Sequence, residues 1–201
     1  MDAVPAFAPD HYRQNVFVPD GASAGPLPDP RIRKWRLALG ITRFVFAMVS
    51  TGIVIASAVR HDVTIAYAFF AVIAPAYVAA IAETLLGLIW LYRMWAWIPP
   101  AERHTKLWRR YISPSAAVGM MFIPYFSIFW MFVVYLGMVD VFERLESSFP
   151  TKQESPRRLA MVALIGSMVF FPAAPILHYL LDTRVESLAA AMQSRMGRPI
   201  S

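Results

Sequence analysis

Cysteine is absent from all 201 residues. Without it the chain has no disulfide framework, no thiolate zinc or iron–sulfur site and no redox dithiol, which removes several kinds of small membrane enzyme. Charge is scarce as well: Asp, Glu, Lys and Arg make up 16% of the residues, against about 25% in an average soluble domain. The deficit is filled by hydrophobic side chains, at 58%, more apolar surface than a core of this size hides. A water-soluble globule is not expected. The phosphate-binding patterns G-x-G-x-x-G and G-x-x-x-x-G-K-[ST] and the metalloprotease helix H-E-x-x-H are also missing, as are repeats of solenoid length. No secretory signal is read, because the first long apolar run begins only after Arg36.

The apolar residues gather in four blocks, 37–59, 65–92, 115–139 and 159–181. Each meets or exceeds the ~20 residues that cross a ~30 Å hydrocarbon layer. None alternates with period two, as a barrel strand would, and backbone groups in lipid must be bonded internally, so the blocks are helices. The expected fold is all-α, an integral membrane bundle of four transmembrane helices over residues 37–181. Residues 1–36 read as a disordered N-terminal tail, with six prolines in the first thirty positions, ending in the basic juxtamembrane cluster Arg31, Arg33, Lys34 and Arg36. Residues 182–201 read as an amphipathic tail, with Leu188, Met192 and Met196 at helical spacing.

The formal charge of +6 does not point to nucleic acid, because the Lys and Arg lie beside the apolar blocks, where topology and anionic head groups account for them. Five precede block one, one separates blocks one and two, five lie in 93–113, four in 143–158 and three after block four. Four alternating spans then place 13 of these 18 on the side of both termini, which makes that side cytoplasmic. The segment 143–158 fits poorly, since Arg144, Lys152, Arg157 and Arg158 fall outside. A third block bent back at Pro124 would return that segment to the cytoplasm and move the C-terminus out.

Two charges lie within spans at matching depth, Arg43 in block one and Glu83 in block two. Ionisable residues at such positions are costly and face the bundle interior. Small residues flank both on the faces they share: Gly40, Ala47 and Ser50 around Arg43, and Ala76, Ala79 and Ala80 around Glu83. The pair is expected to join the first two helices, as a register lock or as a proton or cation site. His178 has no second histidine at its depth, so no haem is expected, and it reads as an interface residue. No metal site and no cofactor is expected; the eleven methionines read as packing, and the hydroxyls as helix contacts rather than nucleophiles. Trp90, Trp95, Trp97, Trp108 and Tyr111 read as an interfacial belt. Beside them Arg103, Lys106, Arg109 and Arg110 are candidates for contact with anionic lipid.

Ser113 and Pro114 read as N-cap and first residue of the third helix, Gly119 as a close-packing position and Pro124 as a kink. The run from Ser113-Pro114 through Ala117-Val118-Gly119, Phe122-Ile123-Pro124 and Trp130 resembles a helix of uncharacterised bacterial multi-helix inner-membrane proteins, a domain of unknown function. The resemblance covers about a seventh of the chain and implies a bacterial inner membrane, but no chemistry. The expected function is therefore non-enzymatic: interaction with the bilayer, with other membrane proteins or with another copy, or service as an accessory subunit. The alternative is a small oligomeric transporter or channel using Glu83 and the Pro124 kink.

Overall fold

The computed structural model describes residues 24–60, 63–151 and 153–195. All regular structure among them is helical: α1 (Pro30–Arg60), α2 (Val63–Trp97), α3 (Pro114–Gly119), α4 (Phe126–Ser148), α5 (Arg157–Val169) and α6 (Ala174–Arg195), with short 3-10 turns at 100–102, 120–122 and 171–173. Three segments, Pro30–Arg60, Tyr67–Trp97 and Phe126–Ser148, are long and apolar enough to cross a membrane.

The first helix starts seven residues before the apolar block. Asp29 accepts a hydrogen bond from the Arg31 N–H at 2.8 Å and Pro30 supplies a preset first turn, so the basic cluster lies inside α1 rather than in a tail. Residues 24–29 are packed too, the Gly25 N–H donating to the Ala96 carbonyl at 2.7 Å. The remainder of the expected tail, 1–23, lies outside the described residues, as does 196–201.

Blocks three and four are each interrupted. In block three the Ser113 side chain caps α3, accepting from the Ala116 N–H at 3.0 Å, and the chain then breaks at Pro124 instead of kinking. Tyr125 has φ 60°, and α4 begins one residue later. The two arms face each other: the Trp130 indole donates to the Ala117 carbonyl at 2.9 Å. Block four, expected as one helix, is two. The interruption falls at 170–173, where Pro172 removes a donor and Pro175 enters the first turn of α6. Leu177 lies against Gly166, and Arg184 donates to the Glu154 carbonyl at 3.0 Å, so α5 and α6 also form an antiparallel hairpin. Both tips are apolar and exposed, at Phe122, Ile123 and Tyr125 in one and Val169 and Phe170 in the other.

The core sits at one end of the molecule. Trp90, Met94, Trp95, Trp97 and Ile98 from the end of α2 pack with Trp130, Val134, Met138 and Phe142 of α4, Leu164 of α5, and Val185, Leu188 and Met192 of α6. Three tryptophans expected as an interfacial belt are therefore fully buried. Trp97 stacks on Phe142 and donates to Gln193 at 3.1 Å, so the second half of α6 is core rather than a surface-lying tail. At the other end α1 and α2 stand alone. From Thr51 to Arg60 and from Thr64 to Pro75 no described side chain is buried.

Candidate functional site

One stripe of α1, with residues at steps of three or four, carries Arg33, Arg36, Gly40, Arg43, Ala47 and Ser50. It faces α2 lower down and α6 higher up. Near the middle, Arg43 Nη1 lies 3.0 Å from Glu83 Oε2, and both side chains are largely shielded. Gly40, Ser50, Ala76 and Ala79 are buried around them, which is what lets the two backbones approach.

Toward the core the stripe meets α6. Arg36 Nη1 is 2.6 Å from Asp182 Oδ2, with the Asp182 side chain 1% exposed, and Tyr135 of α4 lines the same cavity as Arg36. One turn further, Arg33 Nη1 is 2.7 Å from Glu186 Oε2, whose other oxygen accepts from the Trp90 indole at 2.8 Å. Three arginines of one helix thus meet three carboxylates from two others. Burial pushes the Asp182 carboxyl up to about 6 despite the adjacent guanidinium. Glu186 is raised for the same reason, the Trp90 N–H and Arg33 opposing it. The sequence pointed to Arg43 and Glu83 only. The other acids were hidden because Asp182 and Glu186 looked like the polar face of a surface tail; their i, i+4 spacing, matched to Arg33 and Arg36, was the available signal.

Between α2, α4 and the tips of the two hairpins lies a cavity of about 580 Å³. Arg36, Arg43, Glu83, Tyr135 and His178 supply polar lining, and Leu88, Met121, Phe122, Ile128, Met131 and Met168 apolar lining. His178, expected at an interface, instead lies beside Tyr135, ring centroids 6.0 Å apart.

The remaining candidates separate. Arg103 is 3% exposed. It donates to the carbonyls of Ile98 and Ala96 at 2.9 and 2.8 Å, clamping the loop after α2, so it cannot reach lipid. Lys106, Arg109 and Arg110 are exposed, Lys106 lying 3.8 Å from Asp140. Gly119 is not a close-packing position, since a Cβ there would have nothing within 4 Å. The tight glycine of block three is Gly137, where a Cβ would overlap Thr105 of the same loop. Arg144 fixes that loop further, bonding Glu102 Oε2 at 3.0 Å and the carbonyls of Glu102 and His104. His104 is buried there, and burial, with Arg144 beside it, holds its imidazole below the ordinary value. Among the described residues no three His, Cys, Asp or Glu side chains group as a metal site would require.

These features define an all-helical protein with three helices of membrane-crossing length and apolarity, and a charged network where its core meets the isolated α1–α2 hairpin. No family model, curated protein or solved structure matches the chain.

Proposed function

We propose that the chain is an integral protein of the bacterial inner membrane that crosses the bilayer twice, through α1 and α2, while α3–α4 and α5–α6 enter from the side of both termini and return. Four crossings, the expectation from the apolar blocks, would need block four to run as one span, yet α5, with 13 residues, reaches only ~20 Å of the ~30 Å required, and α6 folds back beside it. The first turns of α4 line the same cavity as Arg43 and Glu83, which supports a tip ending at mid-depth rather than at the far surface. Such backbone is tolerated where protein covers it. Charge supports the same arrangement. With two crossings, 17 of the 18 extramembrane Lys and Arg, segment 143–158 included, share one side, and only Arg60 lies opposite. That side is the cytoplasm.

Within this topology the protein acts by binding, as an accessory or interacting subunit, with anionic lipid at Lys106, Arg109 and Arg110 and with other membrane proteins or another copy as partners. One observation carries this reading: the charged side chains of the embedded part stop at Arg43 and Glu83. From there to the far end, ~26 Å along α1, the hairpin offers only hydroxyls such as Ser50 and Thr51, which bond their own helix at 2.8 and 2.9 Å. A polar path through one copy has nothing to continue along. The second reading, an oligomeric transporter, draws on the cavity beside Glu83.

Proteoliposomes loaded with a pH-sensitive dye separate the two. Wild-type protein is expected to leave proton permeability at the level of empty vesicles, and Glu83→Gln to lower folded yield severalfold by leaving Arg43 without its counter-charge. A proton flux that Glu83→Gln abolishes at unchanged yield would establish transport instead.

A further inference from the structure

The charges at the cavity beside the network are already balanced. Both guanidinium groups on its wall have a carboxylate, Arg36 meeting Asp182 at 2.6 Å and Arg43 meeting Glu83 at 3.0 Å. An ionised head group would enter this shielded site without a counter-ion, so the lining selects against charge. It does leave hydrogen-bonding atoms unused. Glu83 Oε2 is buried and ion-paired but accepts no hydrogen bond, and His178 Nδ1 is buried without a partner. The two residues stand at one level: a Cβ on Gly40 would meet both Glu83 Oε1 and Pro175, and Pro175 lies one turn before His178 on α6. Ser127 adds a hydroxyl to the wall. Much of the remaining lining is apolar, and Phe122, Ile128 and Met168 within it are exposed on the outer surface of the protein. A volume of about 580 Å³ lies in the range of small-molecule sites, which are mostly apolar with a few convergent polar groups.

We propose that this cavity binds an uncharged acylglycerol from the bilayer, its glycerol hydroxyls on Glu83 and His178 and an acyl chain along Leu88, Met131 and Met168. A hydroxyl meets both needs, since it donates to a carboxylate oxygen and either donates to or accepts from an imidazole nitrogen. An ester oxygen only accepts, and would leave Glu83 Oε2 as it is. The apolar lining selects the tail: free glycerol would leave it uncovered, whereas methionine side chains adapt to chains of varied shape. The proposal rests on the membrane placement argued above, but not on the number of crossings.

The test is native mass spectrometry and equilibrium titration of the full-length protein in an amine-oxide detergent, which carries no hydroxyl of its own. The probes are 1-oleoyl glycerol, methyl oleate, oleate and glycerol. 1-Oleoyl glycerol is expected to bind at one per chain, at least roughly tenfold more tightly than any of the other three. His178→Phe is expected to bring it down to the level of methyl oleate, a loss of roughly tenfold, with methyl oleate itself unchanged. Ser127→Phe, which narrows the cavity without touching the ion pairs, weakens both lipids by roughly tenfold and serves should His178→Phe misfold. Equal binding of methyl oleate or glycerol, tighter binding of oleate, or 1-oleoyl glycerol affinity unchanged in either folded variant would each overturn the assignment. Recovery of the chain from cells in the soluble fraction would sink the membrane placement and this site with it, whereas an extracted protein that binds no lipid sinks only the assignment made here.

Discussion

Arg36→Met is expected to destabilise the protein by about 3–5 kcal/mol, since it strips the counter-charge from a carboxylate that has no contact with solvent. Asp182 is 0% exposed, and its 2.6 Å contact with Arg36 is the more deeply buried of the two ion pairs that tie α1 to α6. A loss of that size is a large fraction of typical domain stability, so the single variant should be recovered mainly as aggregate. Arg36→Met with Asp182→Leu is expected to regain most of the loss, because an apolar pair of similar volume avoids burying either charge. Thermal unfolding in detergent, followed by circular dichroism, reads both. A single variant as stable as wild type, or a double variant no better than the single, would show that the pair is not what holds α6 on α1.

Gly40→Val is the second large effect. A Cβ on Gly40 would overlap the Pro175 ring and come within 3.1 Å of Glu83 Oε1. Pro175 is rigid and buried at the start of α6, so the helices must separate rather than a side chain swing aside. Overpacking of this kind typically costs about 1–3 kcal/mol, and here it also pushes on the ion pair. Gly52→Val is the matched control on the same helix, since nothing lies within 4 Å of a Cβ there. Monodisperse yield on gel filtration should fall for Gly40→Val and hold for Gly52→Val. Equal yields would remove the α1–α6 contact from the description.

The meeting of Arg43 and Glu83 was legible because two consecutive antiparallel helices need only depth to be aligned, and depth is a count along the chain. Arg36 and Asp182 meet across 146 positions, and no local count reaches that far. The breaks were half legible. Pro124 and Pro172 mark where hydrogen bonds are lost, but the composition of blocks three and four is as apolar as that of a continuous span, and hydropathy alone does not tell a helix from a hairpin folded at mid-depth. The tryptophans misled for a related reason. An interface and a packed core both favour large aromatic residues, and only the packing of α4 and α6 over Trp90, Trp95 and Trp97 assigns them to the core. Arg103 looked like its neighbours Lys106, Arg109 and Arg110, yet its guanidinium donates to the carbonyls of Ala96 and Ile98 at the end of α2 and to the Tyr111 hydroxyl.

Two crossings with two returning hairpins is the arrangement on which the one-sided distribution of 17 of the 18 extramembrane Lys and Arg depends. The most direct measurement uses the absence of native cysteine: single cysteines at His61, Ser148 and Ser194, labelled in intact cells with a membrane-impermeant maleimide. Position 61 is expected to label at once, with 148 and 194 reacting only after permeabilisation. Labelling at 148 in intact cells would restore a third crossing through α4 and contradict the arrangement proposed here.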